Sequence, residues 1–503
     1  MMALLSIQRG LFRIAVTMSV TAAVCIGCVG GEPHPPAPPE SAPTYSSPDE
    51  AAAPRVDPAQ SVVEQTLAPA ESVPGRWWTL FQSPQLDRLV DEAAAGSPTL
   101  EAARTRLLAE QETLRAARGA LFPDLTLNAG ITREKESAAS FGLPPNSLPL
   151  PANFNLYQLG LNGNYDVDLS GRIRQHIAQQ AAFSVLQQRQ REMAYLTVTG
   201  NTVSMAIQLA VGTAQLHAVA GIVQIDEETV RLVRNESEVG TVPESDVVIA
   251  SSQLAADQTL QPGIEQQLSV ARHALAVLLG HAPSEWSAPD LQLSQLTLPT
   301  RLPLTLPSAL VHQRPDILVA EAQLRIAGAQ VGLATADLYP RITLGAGVTA
   351  ESLRLRDLFD PAGLVWSIAA GLAQPVFDAG MRRAQRRAAL AEFKASAADY
   401  QQTVLQSFQQ VADILQAIEH NAELAAAQQR ALEAASRSVT LQRANYERGG
   451  AGLLDLLDAQ RQYQQALLGD VRVEGQRYQD TAQLLVALGG GGLPAKPAAR
   501  TAR

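Results

Sequence analysis

Arg172-Ile173-Arg174-Gln175-His176-Ile177-Ala178-Gln179-Gln180-Ala181-Ala182-Phe183 opens a run that meets no proline until Pro243. The junction Tyr165-Asp166-Val167-Asp168-Leu169-Ser170-Gly171 precedes it, and a glycine-bearing turn, Gly240-Thr241-Val242-Pro243, follows it. Read as one helix over 172–239, the run is roughly 67 residues and about 100 Å long at ~1.5 Å per residue. No globular core accommodates such a helix, whereas a coiled tube does. A second proline-free run, over 381–448, matches it and ends at Gly449-Gly450-Ala451-Gly452. A return helix is expected after each turn, over 244–279 and 453–488.

The two runs are parts of a tandem repeat. Ser97-Pro98-Thr99-Leu100 aligns with Arg314-Pro315-Asp316-Ile317, and in the same register Leu121-Phe122-Pro123 meets Leu338-Tyr339-Pro340. Further along, Gly171 meets Gly380, Gly240 meets Gly449 and Gly280 meets Gly489, while Asp246-Val247-Val248 meets Asp455-Leu456-Leu457. The register changes between Gly130 and Gly171, where the first copy carries a Pro-rich insert, Phe141 to Pro151. Self-similarity of this kind indicates duplication of one supersecondary unit. The copies span 76–285 and 306–491, with 286–305 as the linker between them. Each reads as a helix, two strands and two very long helices. The first helices run from about Pro84 to Ala120 and from Leu306 to Leu338. Pro123 and Pro340 stop them, because proline lacks the N–H and disfavours helix before it.

The strands, near 123–133, 156–168, 340–350 and 364–375, alternate with period two. Leu125, Leu127, Ala129 and Ile131 share one face, with Thr126, Asn128, Gly130 and Thr132 on the other. Trp366, Ile368 and Leu372 oppose Ser367 and Gly371. Segments of about ten residues, apolar on one face and polar on the other, suit a membrane β-barrel. A soluble half-buried sheet is the rival reading of any one strand. Four strands cannot close a barrel, and an open edge cannot sit in lipid. The pattern therefore requires several chains, and three would supply twelve strands.

The N-terminus carries an address. Arg9 and Arg13 precede an apolar stretch, Ile14 to Ile26, too short to span a bilayer and suited to a signal peptide over 1–27. Val24-Cys25-Ile26-Gly27-Cys28 resembles a bacterial lipobox, which makes Cys28 the acceptor of diacylglycerol and palmitate; plain secretion, with cleavage near Ala23 or Gly27, is the alternative. Val29 rather than Asp at the next position resembles an outer-membrane sorting signal. Residues 28–75 are Pro-rich and are expected to form an extended, mobile tether, and 492–503 a disordered tail.

Bulk composition closes other routes. The 503 residues carry a formal net charge of −10, which lacks the basic footprint of a nucleic-acid binder. Cys25 and Cys28 are the only cysteines. They lack the strand and helix that a thioredoxin-type dithiol needs, and the body can hold neither a disulfide framework nor a cysteine-ligated zinc. The seven histidines show no metal-ligand spacing. Gly489 to Gly492 is followed directly by Leu493-Pro494 and not by a lysine opening a helix, so it is not a phosphate loop. No nucleophile–base pair or metal cluster emerges, so an envelope hydrolase finds no support. A purely structural coiled-coil tether is the other rival, one that conductance would exclude.

Five spaced motifs carry a resemblance over about Arg76 to Gly491. They are Trp77-Trp78 with Phe81-Gln82-Ser83-Pro84-Gln85-Leu86; Tyr165 to Arg172; Gln313-Arg314-Pro315-Asp316-Ile317 through Leu338-Tyr339-Pro340; Gln374-Pro375-Val376-Phe377-Asp378-Ala379-Gly380; and Leu457-Asp458-Ala459-Gln460-Arg461. Ala487-Leu488-Gly489-Gly490-Gly491 closes the match. The chain resembles the outer-membrane efflux proteins of the TolC/OprM type, including the NodT-like lipoproteins. The resemblance implies a mainly α protomer with a membrane β-barrel, a homotrimer with a twelve-stranded barrel, and a periplasmic α-helical tunnel. It also implies docking to a periplasmic adaptor and an inner-membrane RND transporter, no cofactor and no catalytic activity. The function is that of a passive exit duct for drugs or other small molecules; a type I protein-secretion duct of the same fold is the alternative.

The resemblance also points to the tip as a gate. Leu454 and Asp458 lie four apart, on one helical face, and in the family that face turns to the pore, where a ring of carboxylates would select or gate. Val242 and Asp246 are the corresponding pair on the first hairpin. The rival reading makes these acids partners of a helix dipole. Gly240, Thr241, Pro243, Gly449, Gly450 and Gly452 are candidate adaptor contacts, or only the glycines that a hairpin needs. Arg448 and Arg461 flank the second turn and are placed to latch neighbouring helices, though exposed pairs contribute little. Arg314-Pro315-Asp316 reads as architecture, and Trp77 and Trp78 as packing.

Overall fold

The computed structural model describes Tyr45, residues 65–135, Pro144 and residues 153–492. Cys25, Cys28, most of the tether, nearly all of the Phe141–Pro151 insert and residues 493–503 lie outside the described residues. In chain order come β1 (Thr66–Pro69), α1 (Pro84–Gly96), α2 (Pro98–Gly119), β2 (Asp124–Glu134), β3 (Phe154–Val167), α3 (Arg172–Glu238), α4 (Glu244–Gln258) and α5 (Leu260–Leu279). The second copy adds β4 (Arg301–Leu304), α6 (Pro315–Ala336), β5 (Arg341–Ser352), β6 (Leu364–Ala373), α7 (Met381–Glu447) and α8 (Leu453–Ala487). α3 and α7 are each 67 residues long. The described residues divide into two compact units, one within Ala109–Val185 and Ala322–Ala398, the other within Ala37–Leu108, Leu186–Glu321 and Asp399–Arg503.

The first unit holds an antiparallel sheet in the order β2-β3-β5-β6. Its register sorts the side chains cleanly. Leu127, Leu161, Val348 and Trp366 lie directly opposite one another across all four strands. Thr126, Asn162, Gly347 and Ser367 form the adjacent row on the other face. The apolar face is open: Leu127 is 68% exposed, Trp366 71% and Ile368 79%. A continuous apolar face of this kind marks contact with lipid or another chain. Within the same unit each long helix starts on a carboxylate. Asp168 accepts hydrogen bonds from the backbone N–H of Ile173 and Arg174, and Asp378 from those of Gly380 and Arg382. Gly171 and Gly380 supply the left-handed backbone, with φ of 76° and 83°, that turns strand into helix.

The second unit contains the main core. Trp77, Trp78, Phe81 and Leu86 pack with Ile207 of α3, Leu275 of α5 and Leu484 of α8. Trp77 and Trp78 are each 1% exposed, as packing residues should be. The buried stretch of α3 from Val198 to Ala210 explains why this helix is apolar enough to pass for a membrane span. Arg314 is an internal staple. Its guanidinium donates to both carboxylate oxygens of Asp316, to the carbonyls of Ser407 and Ala487, and to the side-chain oxygen of Gln410. The C-terminal glycines are there for space: a Cβ on Gly491 would lie 2.5 Å from the carbonyl of Pro74.

Several expectations need correction. The tether is not free throughout: Thr66–Pro69 pairs in parallel with Arg301–Leu304, and the Tyr45 hydroxyl donates to the carbonyl of Thr305. The inter-repeat segment is likewise structural, since Leu291, Leu293, Leu296, Leu298 and Leu302 are buried. The helix expected over 84–120 breaks at Ser97, held extended (ψ 120°) before Pro98. Gly96 there sits against Gly280, whose added Cβ would meet the Gly96 carbonyl at 2.3 Å. The helix expected over 306–338 begins with one turn, Pro307–Leu310, and restarts at Pro315. The return helix expected over 244–279 is interrupted at Thr259. Pro262 explains this, having no N–H for the carbonyl four residues back and a ring that crowds it.

Candidate functional site

The two helical tips are built alike. α3 ends at Glu238, and Gly240 (φ 77°) turns the chain so that the Thr241 N–H and hydroxyl both donate to the Glu236 carbonyl. α7 ends at Glu447, and Gly449 (φ 72°) turns it so that the Gly450 N–H donates to the Asn445 carbonyl. The second tip is also capped, because the Asp455 side chain accepts from the Gly452 N–H at 3.0 Å. The first has no side-chain cap at Pro243. Thr241, Pro243, Gly449, Gly450 and Gly452 are exposed, as an adaptor contact requires, and so is Gly240.

Behind the tips lies a small apolar cluster of Val233, Tyr446, Leu453, Leu456 and Leu457. Leu454 points away from it and is 67% exposed. Asp458, one turn on, is half-exposed, pairs with Arg461 of its own helix and accepts from Gln462 at 2.7 Å. Leu454 and Asp458 thus form one open face beside a packed one. Val242 and Asp246 do not repeat that arrangement. Val242 packs against the tip cluster, and the repeat register places Asp246 opposite Asp455, the capping carboxylate. Asp246 occupies the first turn of α4, where a carboxylate complements the helix dipole.

The bridges between helices fall on residues that the sequence did not single out. Arg461 stays on its own helix, whereas Arg443 of α7 reaches Glu228 of α3 at 3.1 Å. The Tyr446 hydroxyl donates to Glu236 at 2.7 Å, and burial together with that carboxylate pushes the phenol up. Deeper, the Gln460 side chain of α8 donates to the Thr229 hydroxyl at 2.8 Å, and Gln464 to Asp257 of α4. The only signal for these was a polar residue recurring at core spacing: Asp226, Thr229 and Val233 share one stripe of α3.

The family model "Outer membrane efflux protein" matches residues 89–281 and 306–490, the two copies of the repeat. The chain belongs to the outer membrane efflux protein family. Over 418 residues it is 29% identical to the pyoverdine export outer membrane protein OpmQ of Pseudomonas aeruginosa, covering 83% of this chain and 87% of that one. It is 26% identical over 420 residues to the probable outer membrane lipoprotein SilC of Salmonella typhimurium, covering 82% and 88%. The outer-membrane channel OprN superposes with a TM-score of 0.81 at 27% identity, covering 93% of this chain and all of that structure. This efflux protein is accordingly an outer-membrane channel component of an export system and not an enzyme. Relatives named for cation efflux and for a solvent efflux pump favour that reading over a protein-secretion duct.

Proposed function

We propose that three copies of this efflux protein assemble into one duct. Each gives four strands to a twelve-stranded barrel and its long helices to a periplasmic tunnel, which passes small molecules handed on by a periplasmic adaptor and an inner-membrane RND transporter. The observation that carries this is the open sheet: β2 and β6 are edge strands, every described residue of β6 is exposed, and one face carries the rows Leu125-Gly163-Ala346-Ile368 and Leu127-Leu161-Val348-Trp366, with no charged side chain in either. Unpaired edges are intolerable in lipid, so another copy must pair them. Cys28, carrying diacylglycerol and palmitate, would anchor the assembly, since stable attachment takes more than one acyl chain. Leu454 and Asp458 form the gate, three copies placing a carboxylate ring at the end of the tunnel.

Cysteines scanned in pairs along β2 (Thr126, Asn128) and β6 (Ser367, Ala369) test the assembly, because the chain has no cysteine after Cys28. Oxidation should give a ladder that stops at three chains; a ladder stopping at two, or none, overturns the trimer. Photocrosslinkers at Thr241 and Gly450 in the same cells should capture an adaptor together with an RND transporter. Capture of an ABC exporter instead would replace the proposed pump.

A further inference from the structure

Two carboxylates are buried against each other within the first hairpin. Asp226 of α3 is 3% exposed and Asp257 of α4 is 6% exposed. Both oxygens of Asp257 accept from amides, one from Gln464 of α8 and one from Gln253 of α4. Such an acceptor is content as a carboxylate. Asp226 is in the opposite position: its Oδ2 has no hydrogen-bond partner, and its contact is Asp257 itself. Two ionised carboxylates in contact away from water repel, so one of them keeps a proton. No donor stands ready for Asp226, so it is the group that holds one and gives it to Asp257.

Among the described residues, no competing charge faces Asp226. From α4 the facing group is Asp257; from α8 it is the neutral Gln464, with Gln460 on the neighbouring Thr229; Glu228, beside Asp226 on α3, turns to Arg443 of α7. Burial first, and then Asp257, raises Asp226 from 3.8 to about 8. The repeat supplies an internal control. In the register of Gly240 with Gly449, Asp226 falls opposite Ala435 and Asp257 opposite Ala466, both of them buried. The second hairpin closes with two methyl groups where the first uses two acids. The acids are therefore not demanded by the packing of the frame.

We propose that Asp226 and Asp257 share one buried proton that clasps α4 onto α3 and α8, and that its loss frees α4 to move. α4 is suited to this. It is a 15-residue segment with the interruption at Thr259 on one side and the uncapped turn at Pro243 on the other. When a base in solvent removes the proton, the Asp226–Asp257 hydrogen bond gives way to two like charges. A group whose pKa is raised by folding stabilises the fold at low pH, and that contribution is lost as pH rises from 3.8 towards about 8. The clasp stands on the chemistry of this junction; any effect on conduction rests in addition on the tip being the end of the tunnel.

Hydrogen exchange of the purified full-length protein, read by mass spectrometry between pH 6 and pH 10 and corrected for intrinsic rates, tests it. Protection of peptides from α4 should fall about tenfold per pH unit up to about 8 and level off above it, while α8 keeps its own. Asp226→Asn, which keeps a donor towards Asp257 but cannot ionise, should remove that pH dependence. Asp226→Ala with Asp257→Ala, copying the second hairpin, should remove it too. Infrared spectra should show a protonated-carboxyl band at neutral pH that is lost in Asp226→Asn. Equal pH profiles for the wild type and Asp226→Asn, or no such band, overturn the proposal, whether or not the channel conducts.

Discussion

The two helical hairpins descend from one repeat, and they have diverged in stiffness. Both turn at a left-handed glycine, Gly240 and Gly449. The second returns as one unbroken helix of 35 residues, capped at its start by Asp455. The first returns in two pieces, α4 and α5, with no cap at Pro243 and a proline inside the second piece. The buried pair Asp226–Asp257 is replaced by Ala435 and Ala466 at the corresponding positions of the second copy. Duplication thus supplies the frame, and the divergence concentrates the looser joints and the titratable contact in one arm.

The same contrast separates the starts of the two copies, and the largest effect is expected there. Arg314 of the second copy binds Asp316, Gln410 and the Ser407 and Ala487 carbonyls from inside the core, whereas the first copy has Ser97 in its place. Arg314→Ala removes five hydrogen bonds made by a buried guanidinium, leaving Asp316 with the Ile317 N–H, and should cost about 3–5 kcal/mol. Ser97→Ala removes far less and should stay within about 1 kcal/mol. Denaturant titration of the two variants checks this; equal losses would mean that the copies are held together in the same way.

The architecture could be read from the chain because its signals are long. A strand pattern of period two survives any local ambiguity, and a proline-free run of this length has no alternative to a helix. The breaks could not be read so easily. The first return helix breaks beside Pro262, a local signal inside a long helical run, whereas the second copy's return helix has no proline. Leu291, Leu293, Leu296, Leu298 and Leu302 stood among prolines and looked like a linker, although burial makes them core. The buried polar residues were the least legible. Helices of a tube carry small and polar side chains around most of their circumference, so Asp226 or Gln464 cannot be told from a solvated neighbour by spacing alone.

The gate comparison predicts a smaller, functional difference. Leu454→Ala with Asp458→Ala opens the exposed face of α8 and should raise single-channel conductance in lipid bilayers several-fold, with greater antibiotic entry in cells. Val242→Ala with Asp246→Ala should change conductance less, because Val242 belongs to the tip cluster and Asp246 to the first turn of α4. Equal effects would restore the symmetry of the two pairs. No change from the first pair would remove the gate from α8.

Pro262→Ala gives the smallest effect and the sharpest view of the comparison, since it asks whether the first hairpin can be made like the second. The new N–H can donate to the Gln258 carbonyl, a bond worth about 1 kcal/mol. The same change also loosens the unfolded chain, which offsets about 0.4–1 kcal/mol. Global stability should therefore move by less than about 1 kcal/mol. Locally the joint between α4 and α5 becomes continuous, so amide exchange around Thr259 should slow several-fold. The clasp should then lose leverage: with its rear joint stiffened, α4 should open less when Asp226 ionises, and the pH dependence of its exchange should shrink without vanishing. Full dependence in a straightened helix would mean that α4 yields from the Pro243 end alone, leaving the interruption as a by-product of the repeat's history rather than a working joint.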